Sequence, residues 1–244
     1  MIPHALSGLS FVERFYPFPT VDSTNEIARN LDKCPSNGLY VIQADKQTAG
    51  RGRRGTPYFS ENGGLWVSIM IPIKDICTHF NYNRSILLAI LDTIKERFNS
   101  AQLAVKWPND LYWADKKICG ILLENHTRFK HILVVGFGLN VNFYARHFPS
   151  QLAPIATSIL IETGRTWPPG KLLHRIMEHF YNYIHQNPQL VHDKYLKYLY
   201  KTGAVVEINQ QVGILESVDV DGQLRIVQNG KTVLVNNGTL RYLE

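Results

Sequence analysis

The sequence predicts an α+β unit over residues 1–200 followed by a small all-β unit over residues 201–244. Three observations carry this. Strand-like apolar runs and helical periodicities are mixed along the chain up to about residue 200, then give way to short β-rich segments punctuated by Gly and Asn/Asp turns after Gly203. A chain of 244 residues with 45% hydrophobic content is large enough to bury a substantial core. No internal repeat suggests another architecture.

Taken in order, residues 11–21 read as an extended segment ending in a turn. Ser23 and Glu26 have capping-box spacing, so each side chain can satisfy an orphan backbone N–H. Ile27, Leu31 and Cys34 then recur at helical spacing, which predicts a helix over 24–34. Residues 39–44 read as a strand. Residues 45–64 are polar and glycine-rich, a loop long enough that it has a task or is disordered. Strand character returns over 65–71. Residues 83–98, centred on Ile86, Leu87, Ile90, Leu91 and Ile94, are the strongest helix. A short strand at 103–107 runs into the turn Pro108-Asn109-Asp110. Residues 116–124 and 131–139 predict neighbouring strands, and their continuous apolar runs predict central places in a sheet. Helices follow at 170–186 and 189–200. Strands at 204–208, 212–219, 223–228 and 231–235 then suggest a small barrel-like appendage.

The formal charge is +6. Arg51, Arg53 and Arg54 share one loop, and Lys106, Lys116 and Lys117 flank one turn. That placement suits an anionic ligand or general attraction to nucleic acid, and the lack of a long basic tail lowers the second option. Cys34, Cys77 and Cys119 lie far apart in apolar surroundings, which predicts reduced, mostly buried thiols and a cytoplasmic protein. No basic leader with an apolar stretch is evident, and no apolar run reaches the ~20 residues of a spanning helix.

The loop Gly50-Arg51-Gly52-Arg53-Arg54-Gly55 is the first chemical feature. Its glycines allow close approach of backbone to ligand, and its arginines present forked donors to carboxylate or phosphate oxygens. Mutual repulsion of the cations predicts disorder before an anion binds. A solvated basic loop or an RNA contact is the other reading. The loop is neither a Walker A motif nor a dinucleotide-binding fingerprint. Asp110, after its turn, either holds a cation, orients a lysine or makes a structural salt bridge. Lys117 begins an apolar strand and belongs at the mouth of the sheet. Gly136 and Gly138 either let a ligand or backbone come close near a strand end that carries Asn140, or serve packing and turn geometry alone.

Several motifs together resemble the biotin–protein ligase family: Ser23-Thr24-Asn25; Gln47-Thr48-Ala49 running into the 50–55 loop; Gly64-Leu65-Trp66-Val67-Ser68; Lys106-Trp107-Pro108-Asn109-Asp110; Lys117-Ile118-Cys119-Gly120-Ile121-Leu122; and Gly136-Phe137-Gly138-Leu139-Asn140. Their order and spacing resemble it too, over roughly residues 10–190. The resemblance implies a catalytic domain like class II aminoacyl-tRNA synthetases and lipoate ligases, with a mixed central sheet, and an SH3-like C-terminal domain. It implies biotin and ATP as substrates with Mg²⁺, and a biotin carboxyl carrier domain as acceptor, in a monomer or a homodimer. Biotin adenylation and transfer to lysine is the implied reaction. A lipoate or octanoyl ligase on the same fold is the rival enzyme, and a basic nucleic-acid-binding module the rival of another class. Chain start and catalytic unit nearly coincide, so no N-terminal helix-turn-helix, DNA partner or membrane partner is expected.

Residue roles follow from the resemblance. Ser23, Thr24, Asn25, Gln47, Gly50, Arg51, Gly52, Arg53, Lys117 and Gly120 would bind biotin. Arg53, Arg54, Tyr58, Lys106, Asn109, Lys117 and Asn140 would serve ATP and the adenylate. Tyr58 stands where the family often has a tryptophan. Lys117, Arg51, Arg53 and Asp110 would be catalytic, with Asp110 the one metal-ligand candidate. Trp66 either lines the pocket floor or packs in the core.

Overall fold

The computed structural model describes residues 5–73 and 79–243. The expectation for Cys77 falls outside them. Seven strands build the first sheet: β1 (Val12–Val21), β2 (Leu39–Gln47), β3 (Gly64–Pro72), β4 (Leu103–Lys106), β5 (Asp110–Trp113), β6 (Lys116–Asn125) and β7 (Ile132–Asn140). Their order is β1-β2-β3-β7-β6-β5-β4. Only β1 and β2 run parallel within it, so the sheet is mixed. β7 is central and β6 lies beside it, as their uninterrupted apolar runs predict.

The pleat sends alternate residues to opposite faces. One face of β3 (Leu65, Val67, Ile69, Ile71) joins the main core with α2 (His79–Arg97) and α4 (Pro169–Ile184). The other face meets the short helix α1 (Thr24–Asn30), where Met70 packs with Ala28, Tyr40 and Ile42. On that second face the strand register aligns Ser68 with Gly136 and Leu122, and Trp66 with Gly138, Gly120 and Asp110. The glycines and polar residues of these two rows, Ser68, Gly136, Gly138, Gly120 and Asp110, thus open a hollow in an otherwise apolar sheet.

Helices α3 (Ile159–Thr163) and α5 (Pro188–Lys197) complete the helical layer. A second, wholly antiparallel sheet follows. It comprises β8 (Val205–Ile208), β9 (Gln211–Val218), β10 (Leu224–Gln228), β11 (Lys231–Val235) and β12 (Arg241–Tyr242), in the order β11-β10-β9-β8-β12. Its inner residues Val206, Leu215, Leu224 and Ile226 are buried in continuity with the main core.

Some expected details differ. Helix α1 stops at Asn30 rather than at residue 34. The Arg29 carbonyl accepts from Thr127 N and Oγ1, and the Leu31 carbonyl pairs with His126 Nε2. These tertiary partners replace the next helical turn, and Pro35 disfavours helical geometry at Cys34. Ser23 is the N-cap residue, but no side-chain cap bond forms. Glu26, the expected box partner, turns instead to Arg29, Asn30 and Arg51. Strand β5 sits where the sequence showed only a turn. Helix α2 begins four residues ahead of the expected 83, and α3 and β12 were too short to carry a period.

Candidate active site

The hollow in the sheet is the floor of a cavity of ≈ 430 Å³. Its walls are the start of α1, the 51–58 loop, the β4–β5 turn, the segment 148–156 and, from the second sheet's side, Gly238, Thr239 and Leu240. All the sequence-derived site residues except Gly50 line it. Gly50 backs onto the loop itself: a Cβ there would lie 2.7 Å from the Tyr58 carbonyl oxygen.

At one wall the polar side chains are tied to one another. The Thr24 backbone N–H donates to Gln47 Oε1 at 2.8 Å, and Gln47 Nε2 donates to Ser60 Oγ at 3.0 Å. Ser68 Oγ donates to Asn25 Oδ1 at 2.5 Å and lies 2.8 Å from Thr24 Oγ1. Ser23, Thr24, Asn25 and Ser68 are all buried. Such a satisfied network fixes rotamers and presents a rigid polar surface to a ligand. Ser68 was quoted in the sequence motif without a role. Its part is to orient Thr24 and Asn25.

The glycine-arginine loop is a folded turn. Arg51 bridges Pro57, Gly52 N donates to Thr56 O at 2.7 Å, and Tyr58 N donates to Gly50 O at 2.8 Å. Disorder was the expectation from charge repulsion alone. The repulsion is relieved because Arg51 Nη2 lies 2.8 Å from Glu26 Oε2 and 3.3 Å from Glu124. Arg53 and Arg54 make no ion pair among the described residues. Burial, then the neighbouring Arg54, lowers the pKa of Arg53 from its ordinary value. A half-desolvated cation beside a like charge is a site that an anion stabilises.

The Tyr58 ring packs against the glycine pair Gly120 and Gly138 of β6 and β7. Its hydroxyl donates to Gly138 O at 2.8 Å, and a Cβ on Gly138 would stand 2.6 Å from its ring. Lys117 Nζ is 5.6 Å from the Tyr58 ring centroid and 2.7 Å from Asp110 Oδ1. Both Lys117 and Tyr58 occupy the space above Gly120, 3.1 Å from where a Cβ would be. Asp110 pairs with Lys117, the contact common to the lysine-orienting and the structural salt-bridge readings.

Lys106 Nζ lies 3.2 Å from Tyr112 Oη and between the Tyr112 and Tyr242 rings, at 5.0 and 5.3 Å. Burial lowers its pKa, opposed by Asp110 and aided by Lys117. Asn109 and Asn140 donate their amide N–H groups to Ile121 O and Thr157 O, leaving their oxygens as acceptors. Trp66 is fully buried among Phe143 and Phe148, a core residue rather than a pocket wall. The wall from Phe148, Leu152, Ile155 and Ala156 went unread in the sequence, because that stretch has no period and its role depends on the β-bridge between Lys117 and Ala156. Among the described residues no group of three or more His, Cys, Asp or Glu is placed to hold a metal ion.

Residues 18–140, which supply most of these walls, match the Biotin/lipoate A/B protein ligase family. The chain belongs to this family. It is 30% identical over 238 residues to the biotin–[acetyl-CoA-carboxylase] ligase of Mycobacterium tuberculosis, across 91% of this chain and 86% of that protein. It is 36% identical over 150 residues to the bifunctional ligase/repressor BirA of Bacillus subtilis, a match covering 59% of this chain and 44% of that protein. The chain thus spans under half the length of the Bacillus relatives, 45% in Bacillus spizizenii. Among solved structures, the biotin protein ligase from Aquifex aeolicus in complex with biotin and ATP superposes with a TM-score of 0.81 at 26% identity, over 95% of this chain and 100% of that one. The family's fold, a mixed-sheet unit with a smaller antiparallel C-terminal sheet, is the fold found here.

Proposed function

We propose that this chain activates biotin with ATP and transfers it to a lysine of a biotin carboxyl carrier domain. One observation carries the reading: Arg53 and the Lys117–Asp110 pair converge on one cavity beside a buried polar wall, as an acid and a phosphoryl group brought together require. The Aquifex aeolicus protein of this fold holds biotin and ATP, which supports these two as ligands.

A biotin carboxylate oxygen attacks the α-phosphorus of ATP, the bond to the bridging oxygen breaks, and pyrophosphate leaves. Two anions must meet for this. Arg53 and Lys117 lower that repulsion and stabilise the charge gathered on the phosphoryl oxygens. Asp110 holds the Lys117 ammonium in place. Thr24, Asn25 and Gln47, with Ser23, Gly52 and Gly120, form the wall for the biotin ring system, where buried polar groups need partners. Tyr58, Arg54, Lys106, Asn109 and Asn140 border the nucleotide. The amine of the acceptor lysine then attacks the acyl carbon, AMP leaves, and the amine proton passes to solvent or to the departing phosphate.

The donor set, one carboxylate with amide oxygens, fits magnesium held mainly by nucleotide phosphates, with Asp110, Asn109 and Asn140 as its protein neighbours. Bound there, the ion supplies charge neutralisation on the phosphates. No helix among the described residues is long and apolar enough to cross a membrane. A cytoplasmic setting, and two units dividing near residue 200, are parts of the same proposal.

Incubation with Mg-ATP and labelled biotin or lipoate tests the reading, with pyrophosphate release and acceptor mass as readouts. Biotin-dependent adenylate and a single mass shift on the carrier lysine are expected. Adenylate from lipoate alone would assign the other branch of the family.

A further inference from the structure

Neither Glu26 nor Glu124 lines the cavity, yet both carboxylates point at the arginine loop. Glu26 comes from α1 and Glu124 from β6. Arg51 Nη2 lies between them, 2.8 Å from Glu26 Oε2 and 3.3 Å from each Glu124 oxygen. Arg29 Nη1 closes the square at 3.5 Å from Glu26 and 3.3 Å from Glu124. Asn25 Nδ2 donates to Glu124 Oε2 at 2.8 Å, which couples the square to the polar wall of the pocket. Two carboxylates balance two guanidinium groups, and the Glu124 side chain is only 21% exposed. Networked, partly buried pairs of this kind hold geometry where an isolated surface pair does not.

We infer that Glu26 and Glu124 are positioning residues that latch the loop through Arg51, and that Arg51 is therefore the loop's anchor rather than a ligand of the substrate anion. The backbone carries the effect onward. Arg51 bridges Pro57, and the neighbouring Gly50 carbonyl accepts from Tyr58 N. Fixing Arg51 thus fixes Tyr58, whose hydroxyl holds the floor strand at Gly138. The same turn sets Arg53 and Arg54, which make no ion pair among the described residues and are the loop cations left to face an anion in the cavity. The inference rests on the proposed adenylation for its functional consequence, while the latch itself is a statement about the loop.

The test uses the full chain with Glu26→Gln, Glu124→Gln and the double variant. Free biotinyl adenylate is expected to escape from the double variant about tenfold faster, the effect of losing one charge-assisted hydrogen bond. The KM for biotin is expected to rise, while single-turnover adenylate formation at saturating substrates stays near the wild-type rate. General loss of folded protein would instead lower the amount of adenylate formed and leave both the KM and the escape rate unchanged. Limited trypsin digestion gives a readout free of activity: cleavage after Arg51, Arg53 and Arg54 is expected to accelerate in both single variants and most in the double. Glu26 is 46% exposed, so Glu26→Gln remains folded even if the Glu124 variant does not. Adenylate retention and trypsin resistance equal to wild type in Glu26→Gln and in the double variant overturn the latch. Should the wild type form no biotinyl adenylate, the reading of the reaction fails, and the trypsin arm alone decides the latch.

Discussion

Lys117 joins three features of the cavity. It pairs with Asp110, faces the Tyr58 ring and covers Gly120. Replacing it with Met keeps the stem and removes the charge that would meet the α-phosphate. The expected loss in adenylate formation is about 10²–10³-fold, the scale for one pre-organised electrostatic donor. Pyrophosphate release measures it, and a rate near wild type would remove Lys117 from the mechanism. His126 poses a different residue-level question. Its Nδ1 accepts from Arg128 N at 3.1 Å and Phe129 N at 3.2 Å, while Nε2 donates to Leu31 O. A second ring proton would face two N–H donors. Burial first, with Arg128, Arg29 and His131 after it, lowers the pKa, opposed by the bond to Leu31. The unfolded chain therefore binds the proton more readily, and stability falls as pH drops below about 6.5, the unperturbed histidine value, until the folded state is protonated as well. Melting temperature between neutral and mildly acid pH is expected to fall more steeply in wild type than in His126→Gln. Equal slopes would show that His126 is not the titrating group.

At the scale of the element, the glycine pair explains why β6 and β7 can be both core and site. Gly138→Ala would place a methyl group 2.6 Å from the Tyr58 ring and 3.2 Å from Trp66, on a central strand that cannot retreat. A cost of about 1–3 kcal/mol is expected from such overpacking, read from the urea midpoint. The double variant Gly138→Ala, Tyr58→Ala is expected to recover most of it, since the clash is mainly with that ring. Failure to recover would place the strain in the backbone. The same strands show what was legible in sequence. The apolar runs of β6 and β7 announced their inner places, and the period of Ile86, Leu87, Ile90 and Leu91 announced α2, because burial on a regular element leaves a regular pattern. The motif residues of the site were legible through the family resemblance, and all but Gly50 reach one cavity. The end of α1 was not, since it depends on carbonyls captured by Thr127 and His126, nearly a hundred positions away. Glu26 was legible only as a capping partner. Its actual partner, Arg51, lies on a loop whose fold no local pattern announces.

For the whole molecule, the question is whether the second sheet is an appendage or part of the pocket's frame. Gly238, Thr239 and Leu240 line the cavity, and Tyr242 stands over the Lys106 ammonium. The two sheets are joined by Trp107 Nε1 donating to Gly222 O at 2.9 Å. Deeper in, Arg84 of α2 is fully buried. Its Nη1 donates to Val220 O at 3.1 Å and lies 3.0 Å from His192 Nδ1, and its Nη2 reaches Asn81 and Pro188 O. None of these hydrogen-bond partners is a carboxylate, so the guanidinium is held by oriented dipoles from α5 and the β9–β10 turn, and burial lowers its pKa from the ordinary value. Arg84→Met fills similar volume but strips the donors from Val220 O, Pro188 O and His192 at once. Destabilisation of about 3 kcal/mol is expected, in the range for buried acceptors left without a charged donor. Because the inner face of the second sheet is continuous with the main core, unfolding is expected as one transition in wild type, with Trp fluorescence and far-UV dichroism coinciding. Arg84→Met is expected to shift both probes together and to weaken biotin binding in proportion to the folded fraction. If wild type instead lost the second sheet in an earlier, separate transition while the remaining unit still formed adenylate at full rate, the second sheet would be dispensable, and the wall at 238–240 would have no part in the reaction.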